Sequence, residues 1–483
     1  MKCVLKWALI SQRAALKRSL MRFRFSSIQR LLEHITMYRC CSVLLVTRRT
    51  GGAKAVRLIR SRILHWPTDQ WHQPEYFEDG ILLIEAGRVL DLGPAERFLT
   101  EGLDVTRCEH YPTRLVLPGF IDPHLHFPQV DVMASFGAQL LDWLNDYTFP
   151  AEARYSDPVF AAAAAESFLD LQLRHGTTSA FAFCTSHRHS VEALFCAAER
   201  RQLRMVAGKV LMDQNAPDAI LDTAESGAQD SEDLIRTWHG RGRLGYALTP
   251  RFSGTSSSAQ LQKTGLLAQQ YPSVWLQTHL SENLAEIAWI KSVHPQYQDY
   301  LQTYEAHGLV PKGALFGHCI HLTESETERL ADAGGVAVFC PSSNLFLGSG
   351  LMPFEALQAA GVDLAIASDI GGGTSLSMLK TLADAYKVCQ LRQYVLHPFE
   401  AFYRITRGNA RATALEGFIG DFRVGQEADF VMIDPERVPL VARRVQSAKD
   451  LQGELFIYMT LGDEQLIVET SILGEPAYRT SAS

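Results

Sequence analysis

No stretch of this 483-residue chain runs through about eighteen apolar residues without interruption, so a membrane-spanning helix is not expected. Cysteine is sparse and scattered. The nine cysteines, at positions 3, 40, 41, 108, 184, 196, 319, 340 and 389, show neither zinc-finger nor redox spacing, and a chain this long has no need of disulfide staples. A reducing compartment follows, and the cytoplasm is the expected location. Acidic residues are almost missing from the first 62 positions, where 15 Lys and Arg stand against Glu33 alone. The remainder holds 31 basic and 52 acidic residues, a net charge of −21 inside an overall −7. Such a leader reads as an organelle transit peptide or a nucleic-acid arm, or else as an extension ahead of a start at Met21 or Met37. Neither a groove-reading motif nor a periodic core accompanies the charge. Residues 1–53 are therefore read as a basic, disordered extension, with no nucleic-acid and no membrane partner.

What is present is enough for a large core. With 47% hydrophobic and 20% charged residues, the chain reads as globular and longer than one small domain. Residues 54–114 alternate and turn as a β-meander would, with an Asp79–Gly80 pair read as a turn. The same texture returns in 418–483, so both ends are expected to build one small composite β-sandwich domain. Between them, 115–417 alternates strand and helix. A strand over 114–120 ending at Asp122 is followed by candidates at 178–183, 205–211, 244–248, 274–278, 314–317, 336–339 and 364–367. Helices fill most gaps, at 190–201, 257–270 and 325–333, and from an Asp157 N-cap to a stop at Gly176. Eight alternating units imply parallel pairing in an α/β fold, a (β/α)8 TIM barrel, with a doubly wound open sheet as the alternative.

In a barrel, functional groups gather past the C-terminal ends of the strands. His124 and His126 follow the first strand, two apart, so that an extended backbone turns both imidazoles to one side. Arg251 follows the fourth strand, His279 the fifth, His318 the sixth and Asp369 the eighth. Three imidazoles and a carboxylate would leave an open position on a metal ion, as a catalytic zinc requires. Glu282, three residues past His279, is placed to move a proton; its alternative role is a helix-opening acid favoured by the dipole. His175, His187, His189, His294, His307 and His321 fall in helices or loops, where exposed or capping roles are expected.

This set resembles the metal-dependent amidohydrolase superfamily, from about residue 54 to near the C-terminus. Narrower segments resemble its guanine deaminase family: HisPheProGln at 126–129, LeuLeuAspTrpLeuAsnAspTyrThrPheProAlaGlu at 140–152, ThrProArgPhe at 249–252, HisLeuSerGluAsn at 279–283, SerSerAsnLeuPheLeuGlySerGlyLeu at 342–351 and SerAspIleGlyGlyGlyThr at 368–374. The resemblance implies one zinc per chain on His124, His126, His279 and Asp369. It implies catalytic roles for Glu282 as proton shuttle, for His318 beside the metal, and for Asp369. A purine would be bound by His126, Gln129, Arg251, Phe252, His279, Glu282 and Asp369. The implied reaction is hydrolysis of guanine to xanthine and ammonia by a homodimer. Ser281 stands where relatives often carry Cys, a small-for-small change. Sister enzymes acting on other amino-heterocycles, and a non-catalytic scaffold, are the alternative readings.

Overall fold

The computed structural model describes residues 56–137 and 139–480, so the basic leader lies outside the described residues. Contacts divide the chain into two compact units. The described part of the smaller unit is 95–108, a helix Ala95–Thr100 followed by a 3-10 turn Val105–Arg107. The larger unit holds everything else and is built on two sheets.

The chain enters through β1 (Arg57–His65), β2 (Glu75–Glu85), β3 (Arg88–Pro94) and β4 (Glu109–Pro118). After the barrel it returns as β14 (Phe430–Ile433), β15 (Ile467–Ile472) and β16 (Glu475–Arg479). These seven pair in the order β16-β15-β14-β4-β1-β2-β3, so the two ends of the chain share one sheet. Ile59, Ile63, Leu82, Val116, Phe430 and Met432 form its apolar face. The Asp79–Gly80 pair does not turn the chain. It lies inside β2, where the register with β1 shifts between Ser61 and Ile63 and Asp79 is tied to Arg60 at 2.7 and 2.6 Å. The tight turn falls at Ala86–Gly87, both at positive φ, the geometry a two-residue hairpin demands.

The barrel strands are β5 (Phe120–His126), β6 (Thr177–Phe183), β7 (Arg204–Gly208), β8 (Val210–Leu211), β9 (Leu244–Pro250), β10 (Trp275–Leu280), β11 (Leu315–His318), β12 (Val336–Phe339) and β13 (Asp363–Ile366). All pairings are parallel, with the third strand broken into β7 and β8 at the buried Lys209. The expected single strand across 114–122 is in fact two. β4 stays in the outer sheet, and the chain crosses at Gly119, where an added Cβ would lie 2.2 Å from Thr178 Oγ1. First and last barrel strands meet through Asn409, whose Nδ2 donates to Ile121 O and Ile366 O at 2.8 Å each while its Oδ1 accepts from Ile366 N.

The outer helices follow their sequence signals. Pro158–Arg174 is capped by Asp157, whose carboxylate accepts from Val159 N at 2.8 Å, and Gly176 beyond it sits at φ +83. Ser258–Gln270 begins on a Ser257 cap and Glu324–Ala333 on a Thr323–Glu326 capping box, ending at left-handed Gly334.

Candidate active site

His124 and His126 lie on β5 itself, with ring centroids 5.4 Å apart. His279 is the penultimate residue of β10, His318 the last of β11, and Asp369 comes three residues after β13. Ser281, His318 and Asp369 all have positive φ (51, 74 and 52), a conformation that non-glycine residues adopt rarely and that is enriched at turns and functional sites. Asp369 N–H donates to His124 O at 3.0 Å, which carries the last strand's extension onto the first.

The side chains converge. One ligand-type atom from each of His124, His279, His318 and Asp369 lies within 4.8 Å of all the others. His126 joins them: its Nε2 is 3.1 Å from His279 Nε2 and 3.6 Å from Asp369 Oδ1. His279 Nδ1 donates to Arg251 O at 2.6 Å, which leaves its Nε2 as a lone pair facing inward. Asn344 Oδ1 accepts from His318 Nδ1 at 2.8 Å, and although burial opposes it, Glu282 and Asp369 push His318 above the usual imidazole range, favouring a proton on Nε2 as well. Burial pushes His124 below the usual imidazole range, and His126 and His279 well below it, which favours the neutral rings that ligate a metal. Burial works against ionisation of Asp369, but His124, His318 and His126 outweigh it and hold the carboxyl far below its ordinary value. Both ring nitrogens of His124 and Nδ1 of His126 are buried and make no hydrogen bond among the described residues. Neutral imidazoles with inward lone pairs beside an ionised carboxylate are the donor set a zinc ion takes, so the residues fit the metal that the sequence implies.

Glu282 stands beside this cluster. Its Oε2 is 3.4 Å from His318 Nε2, and its Oε1 accepts from Ser349 Oγ at 2.9 Å. Burial pushes its carboxyl up to about 7, with Glu286 and Asp369 adding to the shift and His318 opposing it. A carboxyl that titrates near neutrality is matched to proton transfer in both directions. The helix-opening role falls instead to Asn283 and Glu286, which form the capping box of helix Leu284–Val293.

A small cavity opens onto the cluster. His126, His279, Glu282, His318 and Asp369 line it together with Gln129, Arg251, Phe252, Leu140 and Trp143. Every singled-out residue is thus at this cavity, except that His124 lies fully buried among the ligand atoms. Three residues that the sequence did not single out support the set: Glu152 holds Gln129 and Arg251, Ser349 holds Glu282, and Asn344 holds His318. All three sit inside the segments 140–152 and 342–351, so the signal was the segment and not the individual residue. His294, read as exposed or capping, ends helix Leu284–Val293 but is buried, with Nε2 bonded to Ser253 O at 2.7 Å.

Comparison with known proteins places this geometry. Residues 115–461 match the amidohydrolase family. The guanine deaminase of Escherichia coli is 45% identical over 403 residues, 83% of this chain and 92% of the relative. The structure of E. coli guanine deaminase superposes with a TM-score of 0.86 at 43% identity, covering 88% of this chain and all of that one. A guanine deaminase from C. acetobutylicum, solved with guanine bound in its active site, gives 0.79 at 26% identity over the same shares.

Proposed function

We propose that this chain, which belongs to the amidohydrolase family, hydrolyses guanine to xanthine and ammonia. The observation that carries the reading is one cavity lined both by a cluster of metal-type donors with a near-neutral carboxyl and by an amide, a guanidinium and an aromatic ring suited to a flat purine. His124, His126, His279 and Asp369 would hold one zinc. Bound there, zinc supplies Lewis acidity that brings water toward ionisation near neutral pH.

The chain's own groups account for the rest. Arg251 N–H groups and the Gln129 amide can donate to O6 and the ring acceptors of guanine, and Phe252 gives the base an apolar face to pack on. That seating leaves the C2 amino group for the side of the cavity that holds Glu282. Glu282 takes a proton from water as the water oxygen bonds to C2 and passes that proton to a ring nitrogen; the C2–N bond then breaks as Glu282 carries the adduct's hydroxyl proton to the leaving amine, which departs as ammonia. His318 Nε2, 3.4 Å from Glu282 and 3.7 Å from Asp369, steadies both carboxylates through these transfers. Purified, metal-analysed protein assayed by ultraviolet absorbance should convert guanine with about one zinc per chain. Zinc without guanine turnover would move the substrate to another amino-heterocycle, and neither zinc nor turnover would favour the scaffold reading.

Three further points belong to the same reading. The 115–417 region acts as the metal-dependent barrel, with 54–114 and 418–483 as its composite β partner. The enzyme works as a homodimer. It resides in the cytoplasm, supported by the free thiols of Cys184, Cys196, Cys319, Cys340 and Cys389.

A further inference from the structure

Glu152 ends the segment 140–152 and is fully buried, although it is neither one of the clustered metal-type donors nor a lining residue of the cavity. Its carboxylate takes both members of the pair that faces the purine. Gln129 Nε2 donates to Oε1 at 2.9 Å, and Arg251 Nη1 lies 2.9 and 2.8 Å from the two oxygens. A carboxylate only accepts, so the amide must turn its nitrogen toward Glu152. On its other side Gln129 Oε1 accepts from Gly371 N–H at 3.3 Å, which demands the same orientation. The amide is thereby fixed from both ends, with one N–H and one lone pair left over. Phe149, one helical turn before Glu152, adds a ring 5.4 Å from the Arg251 guanidinium. A single short helix, Phe149–Ala153, therefore clamps the guanidinium by charge and by a ring face.

We propose that Glu152 is a positioning residue for substrate recognition, setting which atoms of Gln129 and Arg251 meet the base; the inference rests on the guanine deaminase reading. It also neutralises Arg251, so that the cavity offers N–H groups to a neutral carbonyl rather than a free positive charge to an anion.

The test is a double-mutant cycle on the zinc-loaded enzyme. Glu152→Gln should lower kcat/KM for guanine about 10- to 100-fold, chiefly through KM, with zinc content unchanged. In an Arg251→Ala background the same change should cost about threefold or less, because its main partner is already gone. Equal losses in the two backgrounds, or a loss in kcat with KM unmoved, would overturn the assignment while leaving the proposed activity standing. Should Glu152→Gln not fold, Glu152→Asp keeps the charge one methylene short; a raised KM with an unchanged pH profile is expected, and a KM equal to wild type counts against the proposal. Wild type without guanine turnover would sink the activity and this inference together.

Discussion

At Glu282 the expectation is specific because the two oxygens have different neighbours, Ser349 Oγ on one and His318 Nε2 on the other. Glu282→Gln keeps size and leaves the metal-type donors in place, so zinc content and guanine affinity should hold while kcat falls about 10²- to 10⁴-fold. Steady-state kinetics with metal analysis decides it, and near-normal turnover removes Glu282 from the mechanism. Ser349→Ala should lower kcat by a smaller factor, about tenfold, because a neutral hydrogen bond to a buried carboxylate is worth roughly 1.5–3 kcal/mol; a kcat within twofold of wild type would show that Ser349 does not orient Glu282. Single residues were also where the sequence was most legible. His124, His126, His279, His318 and Asp369 stand at strand ends, a local fact of the sequence, and their side chains do come together. Glu152 was not singled out, because its meaning lies in partners 23 and 99 residues away, and spacing along a chain does not report that.

Secondary elements were legible where their ends carry caps. Asp157, Ser257 and Thr323 start the helices that begin after them, and the Val336–Phe339 strand has the limits expected of it. Failures occurred where tertiary contacts override local signals. Asp79–Gly80 lost its turn to the pairing of β2 with β1, and the strand around 118 was cut because Gly119 allows the close approach to Thr178 at which the chain changes sheets. The closure of the barrel had no signature at all. Asn409 bridges β5 to β13 with three buried hydrogen bonds from one side chain, so Asn409→Ala leaves Ile121 O and Ile366 without those partners. A loss of about 2–4 kcal/mol is expected in denaturant melts, and a change under 1 kcal/mol would show that the strands close without it.

For the whole molecule, the outer sheet and the barrel are joined by charge as well as by apolar contact. Glu427, just before β14, accepts from Arg204 at 3.0 and 2.6 Å and from Arg243 at 3.0 Å, and Asp429 also pairs with Arg243. Burial alone would raise the Glu427 carboxyl, but the two arginines outweigh it and hold it below its usual value. A depressed folded pKa contributes stability above the ordinary Glu range, near 4.3, that is lost as pH falls through the lower folded value. Urea midpoints should therefore drop as the medium is acidified below about pH 5, and Glu427→Gln should shallow that drop. An identical acid slope in the variant would place the acid sensitivity elsewhere. Metal should act on the same scale: a chelator is expected to remove roughly 4 kcal/mol if free zinc had stood near 1,000 times its Kd, read as a lower melting temperature.

The donors proposed for that metal are spread widely along the chain, from His124 to Asp369. His124 and His126 arrive with the first barrel strand, and Asp369 only after the last, with its backbone N–H on His124 O. The order of synthesis then sets the order of maturation, since a nascent chain shorter than about three-quarters of its length has no complete coordination sphere to fill. On the proposed ligand set, a complete barrel is able to fill the site and a chain truncated before Asp369 is not. Chains arrested before Asp369 should leave the ribosome without zinc, whereas a circular permutant cut between two outer helices should still load it.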